Sequence, residues 1–114
     1  MVSKWEICFC NLDPTQGSEQ RGTRPVLVIS NDAVNHVLPV CTVIPLSSLK
    51  EGEKIYPTEI LMPAAETGLP KDSVAMLQQT RTVAHTRLQP PVGKLTDENL
   101  RESICEAIRM YFEV

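Results

Sequence analysis

The architecture of this chain is written most clearly in Asn11-Leu12-Asp13-Pro14-Thr15-Gln16-Gly17-Ser18-Glu19-Gln20-Arg21-Gly22-Thr23-Arg24-Pro25-Val26-Leu27-Val28-Ile29-Ser30-Asn31-Asp32. An apolar segment ends at Leu12, a loop of hydrogen-bonding side chains with two glycines follows, and an arginine then stands at the mouth of the apolar run Val26-Leu27-Val28-Ile29. Pro25 fits the first position of a strand, where a missing N–H is tolerable, and it biases Arg24 towards an extended backbone. Arg24 is therefore held on rigid structure beside a polar loop. A guanidinium in that setting suits a phosphate, because its fork of donors matches the phosphate oxygens and its charge persists at any working pH. The plainer alternative is an ion pair between Arg24 and Glu19 across the same loop, and on local sequence alone surface ion pairs are the commoner use of an arginine.

Working outward, short apolar runs rich in β-branched residues alternate with Pro, Gly, Asn and Asp, the pattern of a mainly β protein. Strands are expected near residues 6–12, 25–30, 40–46, 58–61, 73–77 and 79–83. Val26-Leu27-Val28-Ile29 and Val43-Ile44-Pro45-Leu46 are apolar on both faces, which suits strands covered on both sides. Asn31-Asp32 can open a helical turn running to Asn35. The C-terminus has another period: Thr96 is a good N-cap, Asp97 and Glu98 favour the positive end of a helix dipole, and Leu95 can staple onto Leu100. Leu100, Ile104, Ala107, Ile108 and Tyr111 then share one face at helical spacing, so a helix packed on the sheet is expected. With 114 residues and 12.7 kDa, and no repeat or linker, residues 1–114 are expected to form one domain.

The composition is that of an ordinary globular chain, 42% hydrophobic and 22% charged. No apolar run approaches the roughly 20 residues that span a bilayer. The N-terminus Met1-Val2-Ser3-Lys4-Trp5-Glu6 lacks the basic start and apolar stretch of a signal peptide, so a cytoplasmic protein without a membrane partner is expected. The four cysteines show no metal-ligand spacing beyond Cys8-Phe9-Cys10, and His36 and His85 stand far apart. Buried apolar packing is the plainer use of the thiols, no metal or other cofactor is expected, and two loop histidines are the plainer reading of the imidazoles. Net charge is −3. Up to Lys94 the chain balances nine basic against nine acidic residues, and the last twenty residues carry the whole acidic excess. An acidic helix is compatible with a neutral or positive groove elsewhere, so the charge leaves an anionic partner open.

The quoted stretch resembles the signature of the MazF/PemK toxin family: Asp13-Pro14, then Gly17-Ser18-Glu19-Gln20, then Gly22-Thr23-Arg24-Pro25-Val26-Leu27-Val28-Ile29, then Asn31-Asp32. The resemblance continues through Val43-Ile44-Pro45-Leu46-Ser47-Ser48, through Asp72-Ser73-Val74 and Gln79-Thr80-Arg81-Thr82, and through Arg87-Leu88 into the terminal helix. It implies a mainly β fold, an SH3-like barrel of the CcdB/MazF/PemK type with a C-terminal α-helix. It also implies a homodimer that cuts single-stranded RNA, especially mRNA, sequence-selectively and without a metal. In such enzymes the ribose 2′-hydroxyl attacks, leaving a 2′,3′-cyclic phosphate and a 5′-hydroxyl. Carried over by position, the catalytic residues are Arg24 and Ser47, and Gln16, Ser18, Glu19, Gln20 and Gln79 line the RNA groove. A cognate antitoxin protein is the implied partner.

The sequence departs from the family pattern at four places. Ser47 stands where threonine is common, Gln78 where an acid is frequent, Trp5 where a glycine commonly opens the first strand, and Thr80 where isoleucine is usual. Two rival readings share the barrel: a CcdB-like toxin that binds gyrase through its terminal helix, and a catalytically quiet interaction module, since a fold does not fix a function.

Overall fold

The computed structural model describes residues 2–114. In chain order these residues form β1 (Glu6–Asn11), β2 (Thr23–Val28), α1 (Asp32–Asn35), β3 (Val40–Ser48), β4 (Glu59–Met62), α2 (Ala64–Thr67) and β5 (Ser73–Met76). A 3₁₀ turn (Leu77–Gln79), β6 (Arg81–Ala84), a second 3₁₀ turn (His85–Arg87), β7 (Gly93–Lys94) and α3 (Glu98–Phe112) complete the chain. The strands pair antiparallel in the order β4-β5-β3-β2-β1-β7, with β6 also on β3. Beyond β6 the chain turns back along β1, bridging Cys10 to Leu88 and donating from Gln89 N to Phe9 O and from Val92 N to Ile7 O at 2.9 and 2.8 Å. The sheet thus curls onto itself through β1, β2, β3, β6 and Leu88. The fold is mainly β, a curled antiparallel barrel with a C-terminal helix, as the sequence implies.

Both faces of the central strands are buried, which explains their unbroken apolar runs. Alternation along a strand sends successive side chains to opposite faces. Cys8, Cys10, Val26, Val28, Cys41, Val43 and Val83 fill the inside of the curl together with Leu12. Ile7, Leu27, Ile44 and Leu46 face the other way and pack with Met62, Ala75, Leu95 and the α3 residues Ile104 and Ala107. Each fully buried Val, Leu, Ile or Met among them contributes about 1.5–3 kcal/mol by leaving water.

β3 is shared between two ladders. Its first half pairs with β6 at Val40–Val43 and with β2 at Val43–Pro45. From Leu46 onward it pairs with β5. Pro45, which has no N–H to give, is the last residue of β3 in register with β2. Its nitrogen faces the other edge, in the break between the β6 ladder, which ends at Val43, and the β5 ladder, which begins at Leu46, where a strand tolerates proline.

Several expectations need correction. The segment 79–83 is not one strand: Thr80 N and Oγ1 both donate to Leu77 O, at 3.1 and 2.6 Å, closing a turn that carries Gln79 and delays β6 to Arg81. The α3 cap is Asp97 rather than Thr96, because the Asp97 carboxylate accepts from Leu100 N at 2.9 Å. Tyr111 lies on the exposed end of α3, beyond the part of the helix that packs on the core. The turn from Asp32 to Asn35 forms as expected, capped by the Asn31 side chain on Ala33 N at 2.8 Å. α2 and β7 carry no strong sequence signal. They touch so closely that a Cβ on Gly93 would meet Thr67 O at 2.1 Å.

Trp5, at the family's glycine position, has φ +75°, a left-handed conformation that costs an L-residue roughly 1–2 kcal/mol. Offsetting contacts surround it: its ring packs on the outer core, Lys4 Nζ and the Arg101 guanidinium stand 5.1 and 5.3 Å from its centroid, and its carbonyl accepts from Leu95 N at 2.8 Å. Arg101 in turn donates from Nε to Leu95 O at 2.8 Å, so α3 is strapped to the start of β1.

Cys8, Cys10 and Cys41 are fully buried free thiols, and Cys105 is half-buried. Burial pushes the Cys8 and Cys41 thiols up from 9.0 to about 11. Below pH 9 these thiols are protonated whether the chain is folded or not. Above it the unfolded chain ionises first and binds fewer protons, so stability falls as pH rises from about 9 towards 11. Titration of the native protein with a chromogenic thiol reagent at pH 8 is expected to count one reactive cysteine, Cys105, and all four after denaturation. The denaturation midpoint is expected to fall across the same alkaline window in the wild type, and by less in a Cys8→Ala/Cys41→Ala double variant.

Candidate active site

The loop between β1 and β2 arches over one mouth of the barrel. Its base is closed by Leu12 N on Gly22 O at 2.9 Å and by Gly22 N on Asp13 Oδ1 at 3.1 Å. Gly22 has φ +80°, which glycine adopts without steric cost. Glu19 does not pair with Arg24. Its carboxylate accepts from Gln16 N at 2.6 Å, and Glu19 N returns a bond to Gln16 O at 3.1 Å, so these two residues shape the loop tip. Gln79 reaches across from the 3₁₀ turn: its Oε1 accepts from Gln20 N at 3.1 Å and its Nε2 donates to Ser18 O at 3.0 Å. Five of the sequence-designated residues, Gln16, Ser18, Glu19, Gln20 and Gln79, are thereby brought together in one hydrogen-bonded unit.

Arg24 stands opposite Cys10 in the β1–β2 register, so alternation assigns it to the inner face, at the barrel's rim. It is half-buried, and its Nε donates to Arg21 O at 3.0 Å. Ser47 lies two residues beyond Pro45 on β3 and shares Pro45's face. Carrying the Val26↔Pro45 register two residues further sets Arg24 across from Ser47. There the β2 ladder has ended, while the opposite edge of β3 is paired with β5, Ser47 to Val74. The two catalytic candidates therefore flank the gap that opens where one ladder ends. Ser47 is half-buried, and its hydroxyl has no hydrogen-bond partner among the described residues.

Beside that gap, Glu19, Gln20, Pro45, Gln79, Thr80 and Arg81 line a cavity of about 150 Å³. Gln20 Oε1 is buried there without a partner. Two arginines that the sequence reading did not single out converge on the loop base. Arg81 Nη1 donates to Leu12 O at 3.0 Å; Arg87 Nη1 donates to Asn11 O at 3.0 Å and to Asp13 O. A signal for Arg81 was present: Val83 is an inward apolar residue, and a charged residue two positions before it shares that face and must sit at the rim. Among the described residues the ion pairs lie at α1 and along α3, namely His36–Asp32, Arg101–Glu98 and Arg109–Glu102. Arg24, Arg81 and Arg87 have no carboxylate partner, so their charge is not cancelled. No three His, Cys, Asp or Glu side chains among the described residues converge as metal ligands. His36 Nε2 sits 3.2 Å from Ser3 Oγ, and His85 lines a separate cavity with Leu88 and Pro91.

Fold and site together define a small β-barrel protein whose rim carries uncompensated guanidinium groups beside a loop of amides and hydroxyls, a receptor for a polyanion. The chain belongs to the PemK-like, MazF-like toxins of type II toxin–antitoxin systems, a family whose model matches residues 3–112. It is 34% identical over 119 aligned residues to the endoribonuclease MazF9 of Mycobacterium tuberculosis, covering 100% of this chain and 98% of that protein. It is 36% identical over 110 residues to the endoribonuclease EndoA of Bacillus subtilis, covering 96% and 93%. Among solved structures, MazF of Deinococcus radiodurans superposes with a TM-score of 0.82 at 22% identity, covering 99% of this chain and 97% of that one. A mycobacterial endoribonuclease in complex with its cognate antitoxin gives 0.79 at 18% identity, covering 100% and 97%. No helix among the described residues is long and apolar enough to cross a membrane.

The Gln79 brace is testable. Gln79→Leu removes both bonds to the Ser18–Gln20 segment while keeping similar volume. Faster amide exchange at Glu19 and Gln20 is expected, with a loss of about 1–3 kcal/mol for the stranded groups confined to that loop. Unchanged exchange there would show that the loop holds itself.

Proposed function

We propose that this chain is an endoribonuclease toxin of a toxin–antitoxin pair, cutting single-stranded RNA, mRNA above all, sequence-selectively and without a metal. The reaction is an internal transfer. The ribose 2′-oxygen loses its proton and bonds to the neighbouring phosphorus; the P–O5′ bond breaks and the departing 5′-oxygen takes up a proton. The products are a 2′,3′-cyclic phosphate and a 5′-hydroxyl. Arg24 holds the charge that builds on the equatorial oxygens of the phosphorane, the role a permanently protonated guanidinium fills best. Ser47 donates a hydrogen bond to one of those oxygens and orients the phosphate for in-line attack. Gln16, Ser18, Glu19, Gln20 and Gln79 contact the flanking nucleotides, where amides and a carboxylate read the edges of unstacked bases.

The observation that supports this reading is the β2–β3 register, which, carried past Val26↔Pro45, sets Arg24, an arginine without a carboxylate partner, across from Ser47, whose hydroxyl has no partner among the described residues. The two endoribonuclease relatives, each above 30% identity over nearly the whole chain, favour cleavage over gyrase binding or a quiet module. The mycobacterial relative solved with its antitoxin supports a cognate antitoxin as protein partner. We read residues 1–114 as one toxin domain acting in the cytoplasm as a homodimer. The dimer reading is supported by a groove of about 480 Å³ between α1 and α3, lined by Val34, Ile29 and Ile108, with Met110, Tyr111, Phe112 and Val114 exposed at its end.

Incubation of pure protein with a long RNA, with and without EDTA, tests the activity. Cleavage is expected to persist in EDTA and to leave 5′-hydroxyl ends that polynucleotide kinase labels directly. Arg24→Ala is expected to lower the rate by at least about 100-fold and Ser47→Ala by roughly 10- to 100-fold. Intact RNA beside stalled gyrase complexes would sink the proposal. Sedimentation equilibrium is expected to give twice the 12.7 kDa chain mass, and a monomer at micromolar concentration would refute the homodimer.

A further inference from the structure

We propose that Arg81 forms a second phosphate subsite in the same mouth, gripping a phosphodiester that flanks the scissile one. This rests on the RNA-cleavage reading above and goes beyond it in assigning a backbone contact to a residue outside the Arg24–Ser47 pair. Arg81 stands opposite Val43 on β3, so it shares the inner face with Val43, Pro45 and Ser47. Ser47 lies four residues beyond Val43, roughly 13 Å along the strand. That separation exceeds the spacing of successive phosphates in a stacked strand, about 3.4 Å of rise, so the two side chains meet different phosphates.

A guanidinium carries five N–H donors, and only one bond is satisfied by the protein, Nη1 to Leu12 O at 3.0 Å. That bond fixes the plane of the group without neutralising it, because a carbonyl is dipolar rather than charged. The remaining donors have no protein partner among the described residues, and the side chain forms part of the wall of the cavity shared with Gln20, Gln79 and Pro45. A partly buried, oriented and uncompensated cation on an open cavity wall is matched by the non-bridging oxygens of a phosphodiester. The alternative is that Arg81 only braces the loop through Leu12. The two roles differ in their dependence on salt, since a phosphate contact releases counterions on binding and a backbone brace does not.

The probe is a 2′-O-methyl RNA oligonucleotide spanning a cleavage site mapped by 5′-end sequencing, which binds without being cut. In the full-length protein, Arg81→Gln is expected to weaken binding roughly 10- to 100-fold. It should also lower the slope of log K against log salt by about 0.7, the value of one phosphate contact on a single strand. The loss should appear in KM more than in kcat on the cleavable RNA. Arg81→Lys keeps the charge and is expected to restore the slope, which separates charge from folding if Arg81→Gln is unstable. A neutral methylphosphonate at one flanking position should weaken wild-type binding and leave Arg81→Gln indifferent. An unchanged slope in Arg81→Gln, or a methylphosphonate effect equal in wild type and variant, overturns the subsite while leaving the nuclease reading intact. Failure of the wild type to cut any RNA overturns the nuclease reading itself.

Discussion

The site depends on a strand that changes partners. β3 begins in the ladder with β2 and β6 and ends in the ladder with β5, and Pro45 marks the change. The β2–β3 ladder ends there because Pro25, whose nitrogen lies on the β3-facing edge of β2 together with those of Leu27 and Ile29, has no N–H to give beyond the Leu27↔Ile44 pair. Pro45 faces the other edge of β3, in the step between the β6 and β5 ladders. Extending the register then leaves Arg24 and Ser47 on neighbouring strand ends beyond the last β2–β3 pair. The barrel supplies the rigidity on both sides: β2 is clamped between β1 and β3, and the far end of β3 is clamped by β5. The catalytic role proposed for Arg24 and Ser47 on two strand ends needs this, because a displacement of about 1 Å can cost two orders of magnitude in rate.

The same mouth explains how a chain of net charge −3 presents itself to a polyanion. Arginines on α3 are neutralised locally by glutamates one or two turns away. Those at the mouth are held instead by carbonyl oxygens, Arg24 by that of Arg21, Arg81 by that of Leu12, and Arg87 by those of Asn11 and Asp13. Carbonyls fix the position of a guanidinium and leave its charge in place. The bonds act in both directions, because they also tether the ends of a loop whose ordering costs roughly 1–2 kcal/mol per residue in backbone entropy. Acidic helix and basic mouth sit on different faces of one barrel, and the net charge averages over a separation that matters.

How much of this was legible in the sequence follows from the range of the interactions. Arg24 and Pro25 could be read because a proline restricts its own neighbour. The two-faced apolar runs at Val26–Ile29 and Val43–Leu46 could be read because burial on both sides leaves no polar alternation. The turn at Leu77–Gln79 could not, since it hangs on Thr80 bonding Leu77 O instead of entering the ladder, and both choices suit a threonine. Thr96 and Asp97 are both competent caps, and the choice between them was made by which side chain meets Leu100 N. Tyr111 continues the helical stripe, but the core beneath α3 ends before it. The closure of the barrel through Cys10 and Leu88, and the convergence of Arg81 and Arg87 on the loop base, depend on contacts more than sixty residues apart, which no local pattern encodes. Trp5 shows the converse: its place at a glycine position was visible in the sequence, and the positive φ behind that preference was not.

The irregularities of the molecule are themselves unevenly distributed. A proline inside a nine-residue strand, charged side chains on a face otherwise filled by Cys, Val and Leu, a buried amide oxygen on Gln20 without a partner, and an unpartnered serine hydroxyl all fall at one mouth. The buried amide oxygen costs stability, and none of the four is what a sequence optimised for folding alone would choose. Two departures lie elsewhere. The strained Trp5 is compensated by two cations on its ring and by core packing, whereas His85 keeps a buried nitrogen without a partner in isolation from any other irregularity. Only at the mouth do several uncompensated groups coincide with matched chemistry: cations for phosphate oxygens, a hydroxyl for a developing negative charge, an acceptor for a base amine. A ligand that carries all three complements in one chain satisfies them together, and single-stranded RNA is such a ligand.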